Sequence, residues 1–142
     1  MSDRQLLEDE RIASLRLVQF RDVATGAPVT PQMLEIETKT GRYCHLQPST
    51  TDDRVLLSSG PARMRSDPGT TVRHWQDLTE ILPGAFDGRP VVTALHADDP
   101  YGPRSARAWT IALSTGYRVR CARHRGALQV SAEETDSQEA RR

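Results

Sequence analysis

Residues 109–121 read Trp109-Thr110-Ile111-Ala112-Leu113-Ser114-Thr115-Gly116-Tyr117-Arg118-Val119-Arg120-Cys121. Trp109, Ile111 and Leu113 alternate with Thr110 and Ala112. Tyr117, Val119 and Cys121 alternate with Arg118 and Arg120. A period of two is the signature of a strand that is apolar on one face and polar on the other. The Ser-Thr-Gly cluster between the two runs supplies the turn. The stretch therefore predicts a β-hairpin with Trp109, Ile111, Leu113, Val119 and Cys121 facing a core and Arg118 and Arg120 facing outward.

The same period recurs along the chain. Leu15 to Phe20 carries apolar groups on both faces. Gln32 to Lys39 sets Leu34 and Ile36 against Glu35 and Glu37, a half-buried strand with charge outside. Thr40-Gly41 turns the chain into Arg42–Gln47, where Cys44 and Leu46 share a face. Arg54–Ser58 ends at Ser59-Gly60-Pro61, and Pro90–His96 ends at the turn-rich Asp98–Pro103. Leu128 to Val130 reads as a last short strand.

Two segments break the pattern. In residues 71–82, Val72, Trp75, Leu78 and Leu82 recur at spacings of 3, 3 and 4, the stripe of an amphipathic helix capped by Thr70 or Thr71 and stopped by Pro83-Gly84. Residues 2–13 predict a short helix with Ser2 as N-cap and Gln5 at capping-box spacing. The expected fold is mainly β: an immunoglobulin/transthyretin-like β-sandwich of seven or eight short strands, with an inserted helix over 71–82 and a short N-terminal helix. A partly open barrel is the rival architecture. The organisation read from the sequence is a helical lead-in over 1–14, one β-rich domain over 15–132, and a disordered charged tail over 133–142.

Composition narrows the function classes. The chain has 142 residues, 37% hydrophobic and 27% charged, with a mean hydropathy of −0.58. One core is affordable at that size. No apolar run approaches the roughly 18 residues of a membrane span. The first residues, MSDRQLLEDER, carry no apolar signal region, so the expectation is a cytoplasmic protein away from membranes. Two cysteines make neither a disulfide scaffold nor a four-thiolate zinc site. Nineteen basic residues balance 19 acidic ones, and all the basic residues except Lys39 are arginine. That bias reads as codon usage in a GC-rich, bacterial genome.

Residues 20–61, FRDVATGAPVTPQMLEIETKTGRYCHLQPSTTDDRVLLSSGP, place Asp22, Thr25, Gly26, Pro28 and Val29 at the turn after the first strand. Thr50 to Asp53 precede a strand that ends at Gly60-Pro61. This stretch resembles the opening of carboxypeptidase-regulatory-like and transthyretin-like β-sandwich domains. It covers under a third of the chain, and Arg54 stands where such domains usually have glycine after the Asp pair. The resemblance implies a non-catalytic scaffold or interaction module, and it carries over no active-site residue.

The chemistry-bearing residues point the same way. His45, His74, His96 and His124 form no metal-ligand spacing on a helix. His96 with Asp98 and Asp99 is the nearest approach to a cation cluster, and turn chemistry accounts for those aspartates. Cys44 and His45 are neighbours on a strand and so face opposite ways, which leaves no thiol–imidazole pair. Glu35 and Glu37 read as a solvated outer face. No phosphate-binding glycine loop is present. No catalytic residue, metal or cofactor is therefore expected.

Charge along the chain is more telling than its sum. Between Pro100 and Ala132 there is no acidic residue but six arginines, Arg104, Arg107, Arg118, Arg120, Arg123 and Arg125. Arg118, Arg120, Arg123 and Arg125 are the candidate partner- or anion-binding residues. The expected function is a non-catalytic structural or interaction module with a protein partner, a subunit of a larger bacterial, phage-tail-like assembly. The alternatives are a nucleic-acid-binding module using the basic hairpin 104–125 and a small enzyme with no identifiable site.

Overall fold

The structure is a computed structural model that describes residues 7–49, 51–63, 69–78, 84–86, 88–102 and 104–134. Among the described residues nine strands lie in one curled, wholly antiparallel sheet: β1 (Ile12–Asp22), β2 (Met33–Thr38), β3 (Tyr43–Pro48), β4 (Val55–Ser59), β5 (Thr71–Asp77), β6 (Val92–Gly102), β7 (Ser105–Leu113), β8 (Tyr117–His124) and β9 (Ala127–Glu134). The ladder runs β5-β1-β2-β3-β4-β7-β8-β9, with β6 on the other edge of β7.

Curling brings the start of β6 back to the start of β1. Arg11 bridges Val91, Asp9 N–H donates to Val92 O, Ile12 N–H to Pro90 O and Val92 N–H to Glu10 O. The circuit β1-β2-β3-β4-β7-β6 thus meets itself at one end, as in a half-barrel. Two strands in it are long enough to serve two partners on one edge. β1 meets the β6 end through residues 9–12 and β5 through Arg16–Asp22. β7 meets β4 at Ser105–Ala106 and β8 at Ala108–Ala112.

The sandwich of two packed sheets is thereby replaced by a single curled sheet. The helix expected over 71–82 is β5 as far as Asp77, and the rest of that helix, residues 79–82, lies outside the described residues. Spacings of 3, 3 and 4 follow the helical period, whereas on a strand a step of three puts successive apolar residues on opposite faces, so the spacing alone misleads here. Pairing with seven consecutive residues of β1 decides for the strand, and the β-branched Thr71 and Val72 and the aromatic Trp75 suit it. Of the N-terminal helix, residues 1–6 lie outside the described residues; Leu7–Asp9 form a turn and Ile12 already belongs to β1. No helix occurs among the described residues. Asp98–Gly102, read as a turn, continues β6 with a register shift between Pro100 and Gly102. Glu133 and Glu134, read as the start of the tail, close β9; residues 135–142 lie outside the described residues.

The core follows the alternation. Leu15, Leu34, Ile36, Cys44, Leu46, Val55, Leu57, Trp109, Ile111, Leu113, Val119 and Cys121 form one buried cluster inside the curl. The hairpin read from 109–121 is β7–β8, with Trp109 opposite Cys121 and Ile111 opposite Val119. Trp109 is fully enclosed, and its indole N–H donates to Val55 O at 2.9 Å, tying the hairpin to β4. β1 contains a bulge between Ile12 and Ser14, and the extra residue lets Ile12 and Leu15 both reach the core despite their odd spacing. A second, smaller cluster of Val18, Met33 and Ala62, with Phe20 against it, sits on the opposite face of β1 and β2.

Candidate functional site

After β4, residues 60–63 pass over the outer face of the sheet, where Ala62 packs against Val18 and Met33. Glu35 lies beneath that crossover and is only 1% exposed. Its two oxygens are fully engaged: Ala62 N–H donates to Oε2 at 3.0 Å, and the guanidinium groups of Arg73 and Arg16 reach Oε1 at 2.5 and 3.4 Å. A buried carboxylate is tolerable only with partners of this kind. Strand alternation placed Glu35 correctly on the outer face, but the prediction of a solvated Glu35 is overturned by a segment some 27 residues away in sequence.

Glu37 is more open. It accepts from Ser14 Oγ at 3.1 Å and lies 3.7 Å from Arg16. A hydrogen bond from Tyr43, its partner across the ladder, pushes the phenol up from its usual value. Arg16 also lies over the ring of Trp75, 5.1 Å from its centroid. Trp75 is 58% exposed and Val72 43% exposed, both on β5, the last strand of the sheet on that side. The sequence had placed both on a buried helical stripe. At strand period they fall on opposite faces, where no cluster of the core covers them.

A cleft of about 830 Å³ opens beside the crossover, lined by Met33, His45, Gln47, Leu56, Ser58 and Arg63 among others. Register sets Glu35 opposite His45 and His45 opposite Ser58, a carboxylate, an imidazole and a hydroxyl in one row. The bonds run elsewhere. His45 Nδ1 lies 3.0 Å from Gly60 O; a carbonyl only accepts, so Nδ1 carries the proton and Nε2 is left as an acceptor. With Glu35 committed to Arg73, Arg16 and Ala62, the row does not connect into a nucleophile–base–orienter relay. Cys44 lies on the other face, inside the core, where burial pushes its thiol up to about 12; burial also raises Cys121, and both cysteines are free. Thiols so protonated are poor nucleophiles.

The four predicted arginines do not share one surface. Arg118 and Arg120 project from the outer face of β8, opposite Glu133 and Ser131 of β9. Arg118 lies 3.5 Å from Glu133, and Arg120 lies 3.8 Å from Asp98, which also accepts from Thr110. Arg123 stands opposite the buried Leu128, on the other face. Arg125 adopts φ +53° and with Gly126 at +81° makes the two-residue turn into β9, which needs positive φ at both positions. Arg107 pairs with Asp53 at 3.0 Å, and Arg54 holds Asp52 at 2.7 Å while lying over Tyr101; hydrogen bonding from Arg54 holds the Asp52 carboxyl down at about 2. His96 faces Thr110 across the ladder, and no metal-holding cluster of three acidic, histidine or cysteine residues occurs among the described residues.

Compared with family models, with curated proteins and with solved structures, the chain matches none, and the likeness of residues 20–61 to transthyretin-like domains stays a resemblance of turn signals.

Proposed function

We propose that the protein is a non-catalytic interaction module whose partner is a protein, docked at the β5 edge of the sheet. The observation that carries this reading is Trp75, an aromatic side chain 58% exposed on a terminal strand, with Val72 exposed on the other face three residues earlier and the Glu35 network holding the strand in place. Tryptophan is the side chain most enriched at the centres of protein interfaces, and terminal strands recruit partners through their main chain. The arginines of β8 support a nucleic-acid partner less well, because Arg118 and Arg120 each face a carboxylate, Arg123 lies on the other face of the strand, and Arg125 sits in the turn beyond it. Among the described residues no helix is long and apolar enough to cross a membrane. Two buried free thiols suit a reducing, cytoplasmic setting. Membership of a larger bacterial assembly of the phage-tail kind is the wider reading that such a module fits.

The test is a photo-crosslinking amino acid introduced at position 75 and, as a control, at Gln129 on β9, in native host cells. A discrete protein adduct from position 75 and none from position 129 is the expected result. No adduct at position 75 sinks the reading.

A further inference from the structure

Resting on the reading of β5 as an interface, we propose that its partner is a second copy of this chain, joined strand to strand in antiparallel fashion about a two-fold axis at His74. The main chain gives the argument its direction. Leu78 N–H donates to Leu15 O, and Val23 N–H donates to Thr70 O, so Thr70 and Leu78 turn their main-chain groups toward β1 and its continuation. Alternation makes Val72, His74 and Gln76 do the same. Arg73 and Trp75 therefore turn their N–H and C=O groups away from β1, to the side where no strand pairs among the described residues.

A two-fold axis at His74 sets Arg73 of one copy opposite Trp75 of the other, twice. Each pair exchanges both main-chain hydrogen bonds, using only groups that the β1 ladder leaves over. Side chains agree with that register. Arg73 and Trp75 lie on the face of Val18 and Phe20, because they pair with those residues. The Arg73 guanidinium is drawn back across β1 to Glu35 on β2, so no cation projects over the free edge toward the partner copy's Trp75. Val72 meets Gln76 on the other face, and no two like charges are set opposite each other. β5 also lacks the usual guards of a terminal strand: it contains no Lys, Pro, Gly or bulge. A contact of this length buries less than the roughly 1,000 Å² of a stable complex, which makes the dimer reversible.

Sedimentation velocity on the full chain should find monomer at about 1 μM and dimer at about 1 mM. Trp75→Ala should weaken the association at least roughly 10-fold. Trp75→Pro should abolish it, because proline removes an N–H that the β1 ladder does not use. His74→Cys provides a readout that needs no loss of fold. In the proposed register the two Cα atoms at position 74 stand about 4.5 Å apart, so mild oxidation should give a covalent dimer. Val72→Cys, displaced by four residues or roughly 13 Å from its own copy, should not. A wild-type chain that stays monomeric at about 1 mM, or a His74→Cys variant that crosslinks no better than Val72→Cys, overturns the inference. A monomer whose position 75 still crosslinks a different protein in cells overturns the second copy alone and leaves the interaction reading standing. A monomer with no adduct overturns both.

Discussion

β5 and the β8–β9 pair occupy equivalent places in this sheet. Each hangs from a strand of the curled circuit, β5 on β1 and β8 on β7, and each shares its edge with another strand. What holds them differs. β8 and β9 are fastened by apolar burial: Val119, Cys121 and Leu128 enter the main core, and Val130 and Ala132 pack against it. β5 contributes no residue of its own to that core. It is held by its ladder to β1 and by Arg73 on the buried Glu35. Equal topology thus gives unequal surfaces. The β9 side spends its apolar groups inward and ends in Glu133 and Glu134, while the β5 side leaves Val72 and Trp75 to solvent.

The contrast can be broken most severely from the core side. Trp109→Ala removes the side chain that backs β8 and also strands the carbonyl of Val55; it should cost about 3–5 kcal/mol in urea unfolding. If Trp109→Ala loosened β5 rather than β8 and β9 in hydrogen exchange, the division of labour would be wrong. Glu35→Gln comes next. It keeps an acceptor for Ala62 but removes the charge that holds Arg73 and Arg16, whose side chains are 34% and 26% exposed and partly rehydrate. The expected cost is about 2–3 kcal/mol, below that of a fully enclosed pair. Amide exchange should accelerate in β5 and crossover residues 60–63 and stay unchanged in β9.

Thiol chemistry sharpens the same comparison. Cys44 and Cys121 should resist an aromatic disulfide reagent at pH 8, and labelling of Cys121 should report the opening of β8. Because burial raises Cys44 to about 12, its contribution to stability is complete below the unfolded thiol value near 8.5. It is lost as pH rises from there toward 12, since the unfolded chain ionises first. At pH 10 the loss should be about 1–2 kcal/mol, and Cys44→Ala should flatten that alkaline slope. A slope identical in wild type and variant would argue against the enclosure of Cys44. The smallest effect belongs to Arg118→Ala with Arg120→Ala. Their carboxylate partners are exposed, so stability should change by less than about 1 kcal/mol. The wild-type chain should show no salt-dependent binding to random-sequence DNA or RNA in an anisotropy titration; such binding, lost in the double variant, would return the basic hairpin to the centre of the function.

The sequence made β7–β8 legible because everything that specifies it is local: alternation, a Ser-Thr-Gly turn, and a Trp that has only one face to occupy. Leu34, Ile36, Cys44 and Leu46 were legible for the same reason. β5 was not. Val72, Trp75 and Leu78 satisfy a helical stripe and break strand alternation, and the deciding contact is with β1, some fifty to sixty residues earlier in the chain. Glu35 shows the other limit. Its side of the strand was read correctly, yet whether that side meets water depends on where residues 60–63 cross. The exposed Trp75 was hidden by the same error, because a helix would have turned it inward. One signal was available: a Thr-Val-Arg-His-Trp run is poor helix material and good strand material.

The meeting of β1 with β6 has a consequence for biosynthesis. Arg11 and Val91 are partners eighty positions apart, so during translation β1 emerges long before the segment that covers its leading edge. β2, β3 and β4 can zip onto β1 in order as neighbours, but the ring of strands stays open until residues beyond Val92 leave the ribosome. Closure is then a late, slow, long-range event, as high contact order implies, and every nascent chain passes through a stage with an uncovered strand able to pair with its neighbour on the polysome.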